Sequence, residues 1–296
     1  MEKMKSLLLF LPLVRCDVLW SGFFDANFTV DHFDECTLPS ISPSHLLRTL
    51  YSRLPGSWSN QIPPYQWYIH GSQPTSHYLG LSSNFKNPAD KADAQGIRIT
   101  IVLPPSIIPF QSIFTDGTKD GTSSWNGQPM MRSELIPQTT ANMGQGHLYY
   151  HFSLSTSKTN APNPSFEHQI AFFESHFTEL KYGRLSGATG DDNTLRWMVS
   201  GQTKWSTPLV AGTWYNFAYD IDFGAGTVGL WASTGSEALA KVVENVGAST
   251  STNSQDWHVG ELRLDNGGTS AAAEDWFWSG VYVESGSVTT DVAGPV

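Results

Sequence analysis

The sequence predicts an all-β protein, a β-jelly roll or two-sheet antiparallel sandwich with a concave cleft. Three observations carry that reading. Apolar residues recur every second position in many short runs, the period of a half-buried strand. Turn clusters such as Ala161-Pro-Asn-Pro164, 187–193 and Asp265-Asn-Gly-Gly268 separate those runs. No strand–helix–strand rhythm is present, and the best helical candidate, 236–246, is short.

The strands follow in order. In His-Leu-Tyr-Tyr-His-Phe-Ser-Leu from His147, one face carries Leu148, Tyr150, Phe152 and Leu154, expected in the core. Tyr149 and His151 take the other face and are expected to line the cleft beside Arg132. Residues 167–183 read as one extended run. Within it Glu174, His176 and Thr178 share a face with Ile170 and Phe172, while Phe173, Phe177 and Glu179 point the other way. Tyr215, Phe217, Tyr219 and Ile221 alternate with Asn216, Asp220 and Asp222. Leu262 and Leu264 alternate with Glu261 and Arg263, and His258 falls on the leucine face. Last, Trp276, Trp278, Gly280 and Tyr282 alternate with Phe277, Val281 and Val283.

At 296 residues without an internal repeat or a long linker, the chain reads as one domain over 17–296. Lys and Arg total 17 against 27 Asp and Glu, a net charge of −10, which argues against nucleic acid and other polyanions as partners. Charged residues make up only 15%, while 11 Trp, 10 Tyr and 16 Phe exceed what a core needs; planar rings are platforms for the apolar faces of sugars. A charged lead (Glu2, Lys3, Lys5) before an apolar stretch from Ser6 to Val14 fits a signal peptide over 1–16, so secretion is expected. No later stretch is apolar enough for a membrane helix, and the protein is expected to act as a monomer. Two cysteines, Cys16 and Cys36, cannot make a disulfide framework or a zinc site. Two apolar, aperiodic segments, 35–57 and 104–121, look like insertions and are expected as surface loops or poorly ordered chain.

Phosphate loops, nucleophile elbows and zinc-protease motifs are missing. What stands out is a set of carboxylates in strand-like, aromatic surroundings: Glu134 with Arg132, then Glu167, Glu174 and Glu179. A carboxylate inside an apolar strand is costly unless paired or used. Two on neighbouring strands of one sheet are what glycoside hydrolysis needs, one protonating the leaving oxygen and the other activating water. A purely structural Arg132–Glu134 or Glu–Lys181 pair explains the same pattern. His151, His168, His176 and His258 all lie in strand-like runs, with no distinctive metal-ligand spacing, so no metal is expected.

Three long strings then narrow the reading. Trp58-Ser-Asn-Gln-Ile-Pro-Pro-Tyr-Gln-Trp-Tyr-Ile-His-Gly71, Trp125-Asn-Gly-Gln-Pro-Met-Met-Arg-Ser-Glu-Leu-Ile-Pro-Gln138 and Glu167-His-Gln-Ile-Ala-Phe-Phe-Glu-Ser-His-Phe-Thr-Glu-Leu-Lys-Tyr-Gly183 resemble fungal glycoside hydrolase family 131. The resemblance implies a β-jelly roll, an open cleft, no organic cofactor, and hydrolysis of β-1,3/1,4-glucans with inversion; β-1,6 linkages are a further candidate. Its Arg-Ser-Glu and Phe-Phe-Glu-Ser motifs put the family's catalytic carboxylates on Glu134 and Glu174, and its functional histidine maps to His258. The candidate substrate-binding residues are Arg132, Tyr149, His151, Gln169, His176, Tyr65 and Gln61. The segments 35–57 and 104–121 interrupt the family pattern and resemble translated intron. Two rivals remain: a jelly-roll polysaccharide lyase, disfavoured by the acidic charge, and a glucan-binding module without turnover.

Overall fold

The computed structural model describes residues 16–34, 64–70, 74–101, 130–254, 256–264, 266 and 272–295. The signal stretch, both segments read as insertions, Cys36 and Gln61 lie outside these. With strands numbered along the chain, one sheet runs β13 (Ala240–Gly247), β12 (Thr227–Thr234), β11 (Tyr215–Asp222), β6 (His147–Ser155), β15 (Glu274–Ser285), β4 (Gly96–Ile101), β3 (Leu79–Ser82). The first strand, β1 (Asp17–Ser21), pairs with β15 as its eighth member. The second, seven-stranded sheet runs β10 (Gln202–Pro208), β9 (Thr194–Val199), β8 (Thr178–Tyr182), β7 (Glu167–Phe173), β14 (Trp257–Leu264), β5 (Met130–Pro137), β2 (Tyr65–Ile69). Every pairing is antiparallel. Among the described residues no helix is long and apolar enough to cross a membrane.

The sheets close over one aromatic core. Leu148, Tyr150, Phe152 and Leu154 enter it as the alternation predicts, and so do Tyr215, Phe217, Tyr219 and Ile221. Trp257 meets Tyr150 edge-on at 5.0 Å between centroids, and Trp197, Trp276 and Trp278 are fully buried around it. Exchanging such a ring for alanine typically costs about 3–5 kcal/mol, so this stack sets the sandwich's geometry.

Four readings need correction. Residues 240–247 form the strand β13, not a helix. Its alternating exposure places Val243 and Val246 against the core while Val242 stays outside, and β-branched residues favour the extended form. The run 167–183 is a hairpin, with β7 and β8 paired and the turn at 174–177, where His176 takes φ 50°. Ala171, in the left-handed region at φ 47°, stands alone opposite Val259 and Gly260 of β14, and across this bulge Ile170 enters the core while Phe172 faces outward despite equal parity. In β15, Gly280 at φ 62° makes a second bulge; Trp276, Trp278, Val281 and Val283 all face the core, and Tyr282 turns outward onto His151. Bulges of this kind cannot be read from alternation alone.

Two free edges are irregular. The edge strand β10 carries Lys204, shifts register between Thr203 and Trp205, and ends at Pro208. At the other sheet's edge, β13 carries Lys241 and Glu244 and pairs with β12 through two register shifts.

Candidate active site

The outer face of the seven-stranded sheet gathers the predicted residues. One register row crosses it from Arg132 on β5 through Leu262 on β14, Gln169 on β7 and Lys181 on β8 to Arg196 on β9. The next row sets Tyr68 on β2 beside Glu134 and then Gly260. Gly260 permits close approach: a Cβ there would stand 2.4 Å from the Ser133 carbonyl oxygen and 2.7 Å from Glu134 Cα, and its φ is 149°. The Ala171 bulge brings Phe172 opposite His258.

At the centre, Arg132 donates from Nε to Glu134 Oε1 at 2.9 Å and from Nη2 to Glu134 Oε2 at 3.0 Å. The same Nη2 donates to Glu174 Oε1 at 2.8 Å. His258 makes a second bridge, with Nδ1 at 2.6 Å from Glu134 Oε2 and Nε2 at 3.0 Å from Glu174 Oε1. Sharing Nη2 keeps the nearest oxygens of the two carboxylates within about 6 Å of each other. Access divides them: the Glu134 side chain is 0% exposed and that of Glu174 is 49% exposed.

Aromatic rings fix the charged groups. The Arg132 guanidinium lies 4.7 Å from the centre of the Tyr68 ring and 5.7 Å from that of Phe172. Phe172 is itself sandwiched, with His258 stacked on one side at 4.7 Å and His176 stacked at 5.2 Å. His176 Nδ1 is held by Glu179 Oε2 at 3.0 Å, which orients the outer ring of that stack.

These contacts set the protonation states. Hydrogen bonding from His258, then from Arg132, outweighs burial and lowers the Glu174 carboxyl to about 2. Burial pushes against a charge on Glu134, yet Arg132 and His258 overcome it and its pKa falls. Burial disfavours a charged His258, but the Glu134 carboxylate and the bonds to both glutamates prevail and raise its pKa. Nearby His70, lowered to about 4 by burial and then by Arg132, stays neutral near pH 7. The centre is thus an ionised, accessible carboxylate backed by two cations and a sealed counter-carboxylate.

Arg132, Glu134, Glu174 and His258 meet directly, His176 joins through Phe172, and Gln169 lies on the same face, its amide on Glu167 at 3.0 Å. Three predicted residues stand elsewhere. Tyr149 and His151 belong to β6 in the opposite sheet, where His151 binds Glu284 at 2.9 Å. Their parity is right and their sheet is wrong, because alternation fixes a face without naming the sheet. Tyr65 is a core residue, packed edge-on against Trp20 at 5.2 Å. Its neighbour Tyr68 serves the site instead. Sequence reasoning missed it because β2 is aromatic on both faces; Phe172 it placed on the face of Glu174 and His176 without giving it a role. The structural ion pairs are present too: Lys181 binds Glu167 at 2.7 Å and lies 3.6 Å from Glu179.

Comparison with known proteins agrees with this geometry. A family model described as the glycoside hydrolase 131 catalytic N-terminal domain matches residues 45–289. A crystal structure of a GH131 β-glucanase catalytic domain from Podospora anserina is 49% identical, covers 94% of this chain and 100% of its own, and superposes with a TM-score of 0.77. The catalytic domain of the glycoside hydrolase family 131 protein from Coprinopsis cinerea is 45% identical over 93% of this chain and 97% of its own, with a TM-score of 0.72. No curated protein sequence matches the chain. With the family model spanning most of the chain and two solved catalytic domains near half identity, this protein belongs to glycoside hydrolase family 131 and is an O-glycosyl hydrolase.

Proposed function

We propose that the protein is a secreted endo-β-glucanase that cleaves neutral β-1,3- and β-1,4-linked glucans, with β-1,6 linkages as a further substrate. The observation that carries this is the half-open Glu174 carboxylate, clamped by Arg132 and His258 on an aromatic-lined sheet face. The β-glucanase activity named for the Podospora relative supports the substrate class. Glu174 is the carboxylate that meets the glucan. Ionised by its two cationic neighbours, it suits activation of an attacking water, and inversion is the outcome the family resemblance implies. His258 holds the proton of the trio. Glu134, sealed beneath them, keeps His258 and Arg132 charged and in place, so the pair of glutamates works with one member at the substrate and one behind it. A neutral glucan also suits a protein with a net charge of −10, which would repel a uronate polymer.

The test is reducing-end release on a panel of β-1,3-, β-1,4- and mixed-linkage glucans, with the product anomer followed by NMR. Glu174→Gln should abolish release while the protein stays folded. A folded Glu174→Gln variant of near-normal activity sinks the assignment. Unsaturated products in place of reducing ends would mark a lyase, and binding without turnover by the unaltered protein would mark a binding module.

A further inference from the structure

A second charged cluster lies between the sheets, behind the outer face that carries Glu174. His168 on β7 and Glu261 on β14 point inward from the seven-stranded sheet, and Glu274 on β15 meets them from the eight-stranded one. They are 0%, 0% and 1% exposed. One ligand atom from each comes within 4.8 Å of the others. Nothing in the local sequence announces this, since residues 168, 261 and 274 meet only through the fold.

The hydrogen bonds leave a positive charge wanting. His168 Nδ1 lies 3.4 Å from the Tyr182 carbonyl oxygen and Nε2 lies 2.6 Å from Glu274 Oε2, so a neutral imidazole has one proton for two acceptors. Arg263 Nη1 donates to Glu274 Oε1 at 2.5 Å and so satisfies that carboxylate's other oxygen. Neither oxygen of Glu261 has a hydrogen-bond partner among the described residues, and the neighbouring Trp276 indole N–H lacks one too. A single indole N–H could serve only one of those oxygens. Two buried carboxylates face one guanidinium, and an unpaired buried carboxylate is among the most costly arrangements in a protein.

We propose that His168, Glu261 and Glu274 form a structural site for one divalent first-row transition ion of the zinc class, held between the two sheets. One imidazole and two carboxylates are a donor set for such an ion; calcium asks for six to eight oxygens, which these three residues do not supply. Tyr182 and Arg263 act from the outer shell, fixing the imidazole tautomer and orienting Glu274. The unpaired Glu261 carboxylate is the independent sign of a ligand. Burial and the Glu274 charge otherwise push its pKa far up, which is the alternative of a proton in the ion's place.

The test uses untagged full-length protein, purified without chelator, unfolded in guanidinium with EDTA, and refolded with zinc or with EDTA. Elemental analysis should find about one zinc per chain after refolding with zinc, and thermal unfolding should occur several degrees lower after EDTA. Glu261→Gln should hold no zinc and unfold at one temperature in both conditions. His168→Gln repeats the measurement if Glu261→Gln does not fold. Refolded wild-type protein without zinc, with the same Tm in both conditions, overturns the site in favour of a protonated Glu261. A Glu261→Gln variant as metal-loaded as the wild type overturns it equally.

Discussion

Replacing Glu134 with glutamine tests the role proposed for it, a buried organiser behind Glu174. Glu134 is 0% exposed and accepts two hydrogen bonds from Arg132 and one from His258. Removing one partner of a buried charged pair costs about 3–5 kcal/mol. Glutamine keeps the volume and one acceptor, which favours the lower end, roughly 3 kcal/mol. A domain of this size loses about 2–4 °C per kcal/mol, so Tm should fall by roughly 6–12 °C. The same change removes the charge that holds the His258 pKa up. A raised folded pKa stabilises below the unfolded value, about 6.5, and that stability is lost as pH rises through the folded pKa. In Glu134→Gln the loss should therefore begin at lower pH, and the alkaline limb of kcat/KM should move with it. Scanning calorimetry across pH and initial rates on a soluble β-glucan measure both. A variant with Tm within about 1 °C of wild type and an unmoved alkaline limb would refute the reasoning.

Further expectations follow from the same geometry. Gly260→Ala should lower kcat/KM at least ~10-fold, because the new Cβ collides with the backbone carrying Glu134; wild-type kinetics in that variant would show that the close approach is not needed. Tyr149→Ala, on the opposite sheet, should leave kcat/KM within about twofold, and a large loss would place the substrate on both sheets. With Glu174 lowered to about 2, its stabilising contribution is complete above an ordinary glutamate pKa and fades as pH falls toward 2. The acid limb of kcat/KM should accordingly lie near the bottom of that window, and a limb centred on an ordinary glutamate value contradicts the clamp. Deleting 35–57 and 104–121 together should give a protein at least as soluble and active as the full chain; poorer expression and activity would show that these segments belong to the fold.

Much of the sandwich was legible because its strands are long enough to alternate. The run from Leu148 to Leu154 and that from Tyr215 to Ile221 each bury every second side chain, and period two needs no tertiary information. The centre was legible through Arg132, Glu134 and Glu174, whose surrounding strings are specific, and more loosely through His258. Backbone irregularity hid the rest. At Ala171 one residue of β7 opposes two of β14, and Gly280 adds a residue to β15, so Ile170 turns into the core from the face that counting shares with Phe172 and Glu174, and Tyr282 leaves the face of Trp276 and Trp278. Tyr65 and Tyr68 were indistinguishable while both sides of β2 looked aromatic. Glu261 and Glu274 gave no local signal, since a charged residue at a strand position reads as solvent-facing until the opposing sheet is in place.

The irregular edges of the two sheets bear on how the molecule behaves in a crowd. A foreign strand can add to a sheet only along a straight run of unpaired amides and carbonyls. At β10 that run is bent by the shift at Thr203 and Trp205, studded with Lys204 and closed by Pro208, which has no amide hydrogen to offer. At β13 the two register shifts twist the border while Lys241 and Glu244 load it with charge. These two borders act as terminators, so a foreign strand should add poorly at either of them. Straightening β10 by removing its irregularity and Pro208 would be the shortest route from a dispersed enzyme to a polymerising one.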